Sequence, residues 1–380
     1  MELYAGISLV CFLLGSLAGF VMHRSDYCIA GMFRNLFLFR HTVMIRSLVL
    51  LIVVSMILFE LARQAGLLPL LPFPLLYSPT PANLLGGFLF GTGMVLAGGC
   101  AVGNLYKMGA GNFPSMLACG GFIAGSALYA EMHPLWALFI KNTTFFPGKI
   151  TIPQILGVDP SLVIFPAAAF GMFFLFTWHK KKLLQRPSYA EGYLQPWKAA
   201  ICLSLISLSS YVLVGMPLGV TSAYAKTAGY LESFLFRGHV AGLPFFRAVS
   251  LNYIHPLTGL RLQGGAGPRF DAFSLIQYPL AAGIILGSCF SAIMLREFRI
   301  YFRAPFRQHA SAFSGGIIMG LASRMAPTCN VWHLMGGLPI LAASSLLFTA
   351  GLLPGAWAGS RLLVTLATRD YRQKEGGTAV

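Results

Sequence analysis

Charge is scarce in this chain. Only 10% of its 380 residues are charged, against about 25% in an ordinary soluble domain. A water-facing shell cannot be built from so few charges, so a soluble fold of this length is excluded. Acidic residues are the rarest of all, 11 Asp and Glu against 27 Lys and Arg, a net charge of +16. No paired-carboxylate or Ser/His/Asp arrangement stands out, which removes the common hydrolase chemistries. No Cys-x-x-Cys occurs among the seven cysteines, so the signature of a zinc module or redox pair is missing. The Gly-rich stretch 263–268 lacks a following Lys-Ser/Thr and is not a phosphate loop. A nucleic-acid binder would gather its basic charge on one soluble face. Here the charge lies between apolar runs, where the positive-inside rule places it.

What the chain has is apolar sequence: 56% hydrophobic residues and a mean hydropathy of +0.72. Runs long enough, or nearly so, to cross a bilayer lie near 2–22, 43–62, 82–98, 112–130, 161–178, 197–214, 272–294, 311–326 and 337–366. A crossing takes about 20 residues, so the expectation is an all-α polytopic membrane protein with about nine spanning helices. The first run lacks the basic start of a cleaved signal peptide and is read as the first helix. Arg24, Arg34, Arg40 and Arg46 form one basic cluster and Lys180–Lys198 the densest. Arg296–Arg307 and the tail Arg369, Arg372 and Lys374 complete the set. All four are expected on the cytoplasmic side, with the N-terminus periplasmic and the C-terminus cytoplasmic. The segment 237–271, with Arg237, Arg247, Arg261 and Arg269, is expected outside. The basic linker 179–198 divides the chain into membrane halves 1–178 and 199–368, with a cytoplasmic tail at 369–380 whose end, 374–380, is expected to fray.

One pattern repeats. Gly87-x3-Gly91 precedes Cys100, Gly316-x3-Gly320 precedes Cys329 in the same frame, and Gly15-x3-Gly19 precedes Cys28 likewise. Three such matches among seven cysteines arise by chance roughly once in 10⁴ trials. Small-xxx-small spacing lets another backbone approach closely. Each cysteine then follows a helix-breaking stretch: Arg24-Ser25-Asp26, Ala97-Gly98-Gly99, or Ala326-Pro327-Thr328. Broken backbone at membrane depth persists only where protein or a watery cavity satisfies it. The three cysteines are therefore expected where one helix stops and another starts, beside N-terminal N–H groups that favour anions. Cys11, Cys119, Cys202 and Cys289 lack the frame and read as packing residues. The glycines at 120–121 and 355–359 read as packing seams.

Three chemistries fit three such thiols. As neutral, soft hydrogen-bond donors they offer successive weak sites to a soft anion, which is what conduction requires. As thiolates, helped by Met22, Met32, Met94, Met108, Met325 and Met335, they would hold a soft metal such as Cu(I). As nucleophiles they would relay sulfur through persulfides. Arg24 (as a local ion pair with Asp26), Lys107 and His333 are further candidates for contact with a substrate or for local structure. Thr328, Gly98 and Gly99 shape the breaks.

The segments His23–Asn35, Gly91–Gly103, Leu218–Ser222, Arg296–Arg299 and Gly315–Cys329 resemble, in this order, the YeeE/YedE family of bacterial inner-membrane sulfur transporters, and within it the thiosulfate-uptake branch. The resemblance implies an hourglass-like protein of spanning helices and short half-helices, in two pseudo-repeated halves. It makes Gly219, Thr221 and Ser222 a fourth, cysteine-free break. It implies a transporter, not an enzyme, that passes thiosulfate along Cys28, Cys100 and Cys329 with no cofactor or metal and no nucleic acid. It also implies a small cytoplasmic TusA-like sulfur-carrier partner. The chain departs from the family pattern at Pro327, Thr328, Trp332, His333 and Asp26. Those departures keep a selenium oxyanion or another sulfur compound open as the cargo.

Overall fold

The computed structural model describes residues 2–186, 191–236 and 238–376, and helix dominates it. The reason is elementary: in hydrocarbon a helix satisfies its own backbone polar groups. Helix α1 (Glu2–Ser25) gives way to the short α2 (Ile29–Phe39), and α3 (Val43–Gln64) returns across the bundle. Helices α4 (Pro81–Leu96) and α5 (Ala101–Gly109) form a second broken pair, followed by the long α6 (Phe113–Thr143). A single turn, α7 (Ile152–Leu156), leads to α8 (Pro160–Lys180). Beyond the basic linker come α9 (Pro196–Val214) and the half-length α10 (Thr221–Leu235). Two short turns, α11 (His239–Gly242) and α12 (Pro244–Arg247), precede a hairpin of β1 (Leu251–Ile254) and β2 (Arg261–Gly264), with Leu251 opposite Gly264. Helix α13 (Ala272–Met294) and helix α14 (Phe306–Met325) follow; a π-helical turn, Trp332–Gly337, then leads to α15 (Ala343–Gly376).

Eight spans among the described residues are long and apolar enough to cross a membrane, two of them counted through a break, Leu3–Phe39 and Pro81–Gly109. The chain is an all-α polytopic membrane protein. Three details add to the expected layout. The ninth run, 311–326, falls in α14, which at 20 residues is long enough, but Arg307, Gln308, His309 and Arg324 make it too polar to count with the other eight. It is packed between α4 and α6 rather than exposed. The segment after α10 is not helical throughout, because its alternating Leu251, Tyr253 and Leu262 bury one face of the hairpin. Residues 369–376, expected in a separate tail, continue α15. Arg237 and residues 377–380 lie outside the described residues.

Glycine pairs set the helix pairing. On α1, Gly15 and Gly19 lie against the carbonyls of Leu280 and Ile284, while Gly283 and Gly287 of α13 lie against those of Phe12 and Ser16. Helices α4 and α15 interlock in the same way, through Gly87 and Gly91 against Gly351 and Gly355. Helices α14 and α6 do so through Gly316 and Gly320 against Gly121 and Gly125. At most of these positions a Cβ would fall on a carbonyl oxygen far inside the 3.0 Å that real Cβ atoms keep. Close backbone approach gives the dense van der Waals contact that holds helices together in lipid. Each glycine pair of the repeat thus bonds its helix to one from the other part of the chain. The helices running into all three cysteine breaks are clamped.

Candidate functional site

The breaks after α1 and α4 place thiols at helix N-termini. Cys28 is the N-cap of α2, its sulfur accepting the Gly31 N–H at 3.5 Å. Cys100 is the N-cap of α5 and accepts the Gly103 N–H at 3.3 Å. Both sulfurs converge over Gly103, where a Cβ would meet Cys100 Sγ at 3.3 Å and Cys28 Sγ at 3.4 Å. Gly103 leaves the space between the two thiols open. Cys329 follows the third break, and its carbonyl accepts the His333 N–H at 3.0 Å. Asn330, its neighbour, reaches back with its side-chain amide to Met94 Sδ at 3.9 Å. The order is therefore Cys28, Cys100, Cys329, with Cys100 near both of the others. All three thiols are buried, at 3%, 0% and 1% exposure, so this conformation is closed at the sulfurs. Among the described residues they do not converge within 4.8 Å of one another, the spacing three ligands of one metal ion would need.

A thiol whose sulfur accepts a backbone N–H is polarised toward donating its own proton, since linked hydrogen bonds strengthen one another. Helix dipoles add positive potential at α2 and α5. Buried Met22, Met32, Met94 and Met335 lie in the same core, side chains that rearrange at low cost.

The other expected residues fall into place around the breaks. Gly98 has φ +71°, the left-handed turn that ends α4, and its carbonyl accepts from Lys107 Nζ at 2.6 Å. Lys107 thereby caps the break. Gly99 leaves room for Asn104, whose Nδ2 donates to the Gly99 carbonyl at 2.9 Å and whose Oδ1 is buried without a partner. Thr328 takes φ +89° and its hydroxyl lies 3.3 Å from His333 Nε2. His333 Nδ1 is 2.9 Å from Ser345 Oγ, and its ring stacks on Phe348. Both ring nitrogens are engaged, so His333 braces the third break. Arg24 and Asp26 form no ion pair: Arg24 donates to the Gly192 carbonyl at 2.6 Å, and Asp26 accepts from the Tyr106 hydroxyl at 3.3 Å. The cysteine-free break ends at Gly219, against which the Trp332 ring packs. Thr221 opens α10, and Gln277 of α13 caps it by accepting the Ala223 N–H at 2.9 Å. Of the remaining cysteines, Cys119 Sγ pairs with the Tyr224 hydroxyl at 3.3 Å.

Sequence reasoning missed three groups here. Asn330 sits directly after a flagged cysteine, and Gln277 is a lone amide in an apolar run. Arg324 is an arginine one turn before the third break, and ionisable residues within spans are functional candidates by default. Arg324 lines a cavity of about 510 Å³ at the bundle end opposite the basic clusters, together with Tyr129, Lys141, Ser222, Ser323 and Thr328. Ser222 and Thr328 belong to the fourth and third breaks, so this cavity opens onto the helix breaks themselves.

Similarity to known proteins agrees with this architecture. A family profile described as sulphur transport matches residues 24–358. The chain is 28% identical over 366 residues to the thiosulfate transporter TsuA of Spirochaeta thermophila, covering 92% of this chain and 97% of that one. It is 25% identical over 370 residues to TsuA of Escherichia coli, covering 96% of each. The probable transporter YedE of Escherichia coli is 26% identical over 168 residues, 44% of this chain and 40% of its own. With clamped glycine helices running into cysteine breaks and a match across nearly all of its length, the chain belongs to the sulphur-transport (YeeE/YedE) family and is a membrane transporter.

Proposed function

We propose that the protein imports thiosulfate, or a closely similar sulfur oxyanion, across a bacterial inner membrane, with Cys28, Cys100 and Cys329 as successive weak hydrogen-bond donors. The observation that carries this reading is the pair of N-capping thiols converging over Gly103. A thiol suits a soft terminal sulfur, and graded neutral sites avoid trapping a dianion as a lysine pair would. Near-complete alignment with two proteins named thiosulfate transporters supports the choice of cargo. The basic clusters at the ends of α1, α8 and α13 favour the cytoplasmic side for that end of the bundle. They also give a favourable field to an acidic sulfur-carrier partner of the TusA type.

Because the thiols are buried, passage requires the breaks to part, and the methionines around them are the side chains that can yield. The test is uptake-dependent growth on thiosulfate. Cys100→Ala should abolish it while the protein still reaches the membrane, and normal growth of that variant would sink the thiol pathway. Cys100→Ser separates binding from covalent relay: a hydroxyl donor keeps partial uptake, whereas a persulfide relay loses all of it.

A further inference from the structure

We propose that Arg324 is the anion-capture residue of the cavity at the end of the bundle away from the basic clusters, binding a small divalent oxyanion before it reaches Cys329. The proposal rests on the transport reading above and adds to it the group that reads charge.

Four observations carry it. First, Arg324 Nη2 is buried and, among the described residues, has no hydrogen-bond partner. Its Nε donates to Ser323 Oγ at 3.3 Å, which fixes one edge of the guanidinium and leaves the other free. A buried cation without an acceptor is costly unless something supplies negative charge. Second, the cavity lining contains Arg324, Lys141 and His133 beside several hydroxyls, and no carboxylate. A site without an internal counter-ion is built for an anion from outside. Third, Arg324 is held in place: it precedes Met325, whose carbonyl accepts from Trp136 Nε1 at 2.9 Å, and it follows the Gly316/Gly320 clamp on α14. Fourth, the cavity floor includes Ser222, Pro327 and Thr328 of two helix breaks, and Arg324 lies within electrostatic range of Cys329.

The planar guanidinium suits this role. It offers several donors in a fixed fork and holds its hydration weakly, so it engages an oxyanion edge-on. A charged capture site followed by neutral thiols divides the work: Arg324 sets affinity and charge selectivity, and the cysteines beyond it bind weakly and let the cargo move on. In the repeat frame the positions equivalent to Arg324 are His23 and Val95, so the third motif alone carries a guanidinium there.

The experiment uses the full-length protein in nanodiscs of neutral phosphatidylcholine, with radiolabelled thiosulfate and sulfate as probes. Wild type should bind thiosulfate saturably. Arg324→Gln should weaken binding about tenfold or more, as loss of a charge-assisted hydrogen bond does. Arg324→Lys should recover part of the affinity. Unchanged affinity in Arg324→Gln overturns the proposal. If that variant does not fold, an arginine-selective dicarbonyl reagent on wild type decides: thiosulfate should protect Arg324 from modification, and no protection overturns the site. Binding through Arg324 without flux in reconstituted vesicles would leave the site standing and remove the transport reading. A wild type that binds neither anion overturns the site.

Discussion

Adjacent glycines on α6 make opposite demands, and the contrast tests the packing account. Gly121 faces α14, and a Cβ there falls on the Phe313 carbonyl, with Phe313 C at 3.0 Å and Ile317 N at 3.1 Å. All three are backbone atoms, so no side chain can swing aside; helix α14 must retreat by about 1 Å from a close-packed neighbour. Overpacking of this kind costs about 1–3 kcal/mol. Gly120, one residue earlier, points outward and has no atom within 4 Å of a Cβ. Alanine at that position is therefore free of steric cost and gains helix propensity, at most about 1 kcal/mol. Gly120→Ala should melt at or slightly above wild type, and Gly121→Ala should melt lower by about 2–6 °C. Fluorescence-detected size exclusion after heating reads both. Because α14 carries Arg324 and runs into the Cys329 break, Gly121→Ala should also depress uptake while Gly120→Ala leaves it intact. Equal melting of the two variants would refute the close-approach reasoning.

Two predictions concern the segment between α10 and α13. His255 is 2% exposed, and its Nδ1 accepts the N–H groups of Leu257 and Thr258 at 3.4 and 3.3 Å, which only an unprotonated Nδ1 can do. Burial lowers its pKa below the ordinary 6.5, so the stability it lends the turn is full above that value and is lost as pH falls through the lowered one. Hydrogen-exchange protection of amides 257–260, corrected for intrinsic rates, should drop in acid; protection that stays flat between neutral pH and the acid limit of folding contradicts this. Lys226 is fully buried, its Nζ donating to the Gly267 and Arg269 carbonyls and to Asp271 Oδ2 at 2.8 Å. Lys226→Met removes the cation that ties these acceptors together and leaves the Asp271 carboxylate without its counter-ion, and breaking a buried pair costs about 3–5 kcal/mol. Limited proteolysis should then cut within 238–271 several times faster, and wild-type resistance would show that the tie is dispensable.

Several features of this architecture were legible because they are local. Spanning runs follow from hydropathy, and the Gly-x3-Gly-x8-Cys frame by itself points to all three thiols at helix breaks. What pairs with each glycine stripe was not legible: spacing says that Gly15 and Gly19 invite a close backbone, but not that Gly283 and Gly287 provide it. Long-range choices of this kind depend on the whole bundle. The role of Arg324 on α14 was less legible, because it lies among alanines and glycines and gains meaning only from the cavity it lines. Asn330 and Gln277 escaped for a related reason, since a lone amide acquires meaning only from what it faces. His333 and Lys107, plausible substrate contacts by sequence, instead satisfy backbone and hydroxyl groups at the breaks.

The central claim is that buried neutral thiols form the passage. Its most direct test is flux of radiolabelled thiosulfate into vesicles reconstituted with the purified protein alone, compared with Cys100→Ala at matched incorporation. The account predicts flux in wild type that a soft-metal chelator does not alter, and none above empty vesicles in the variant. Undiminished flux through Cys100→Ala would contradict it.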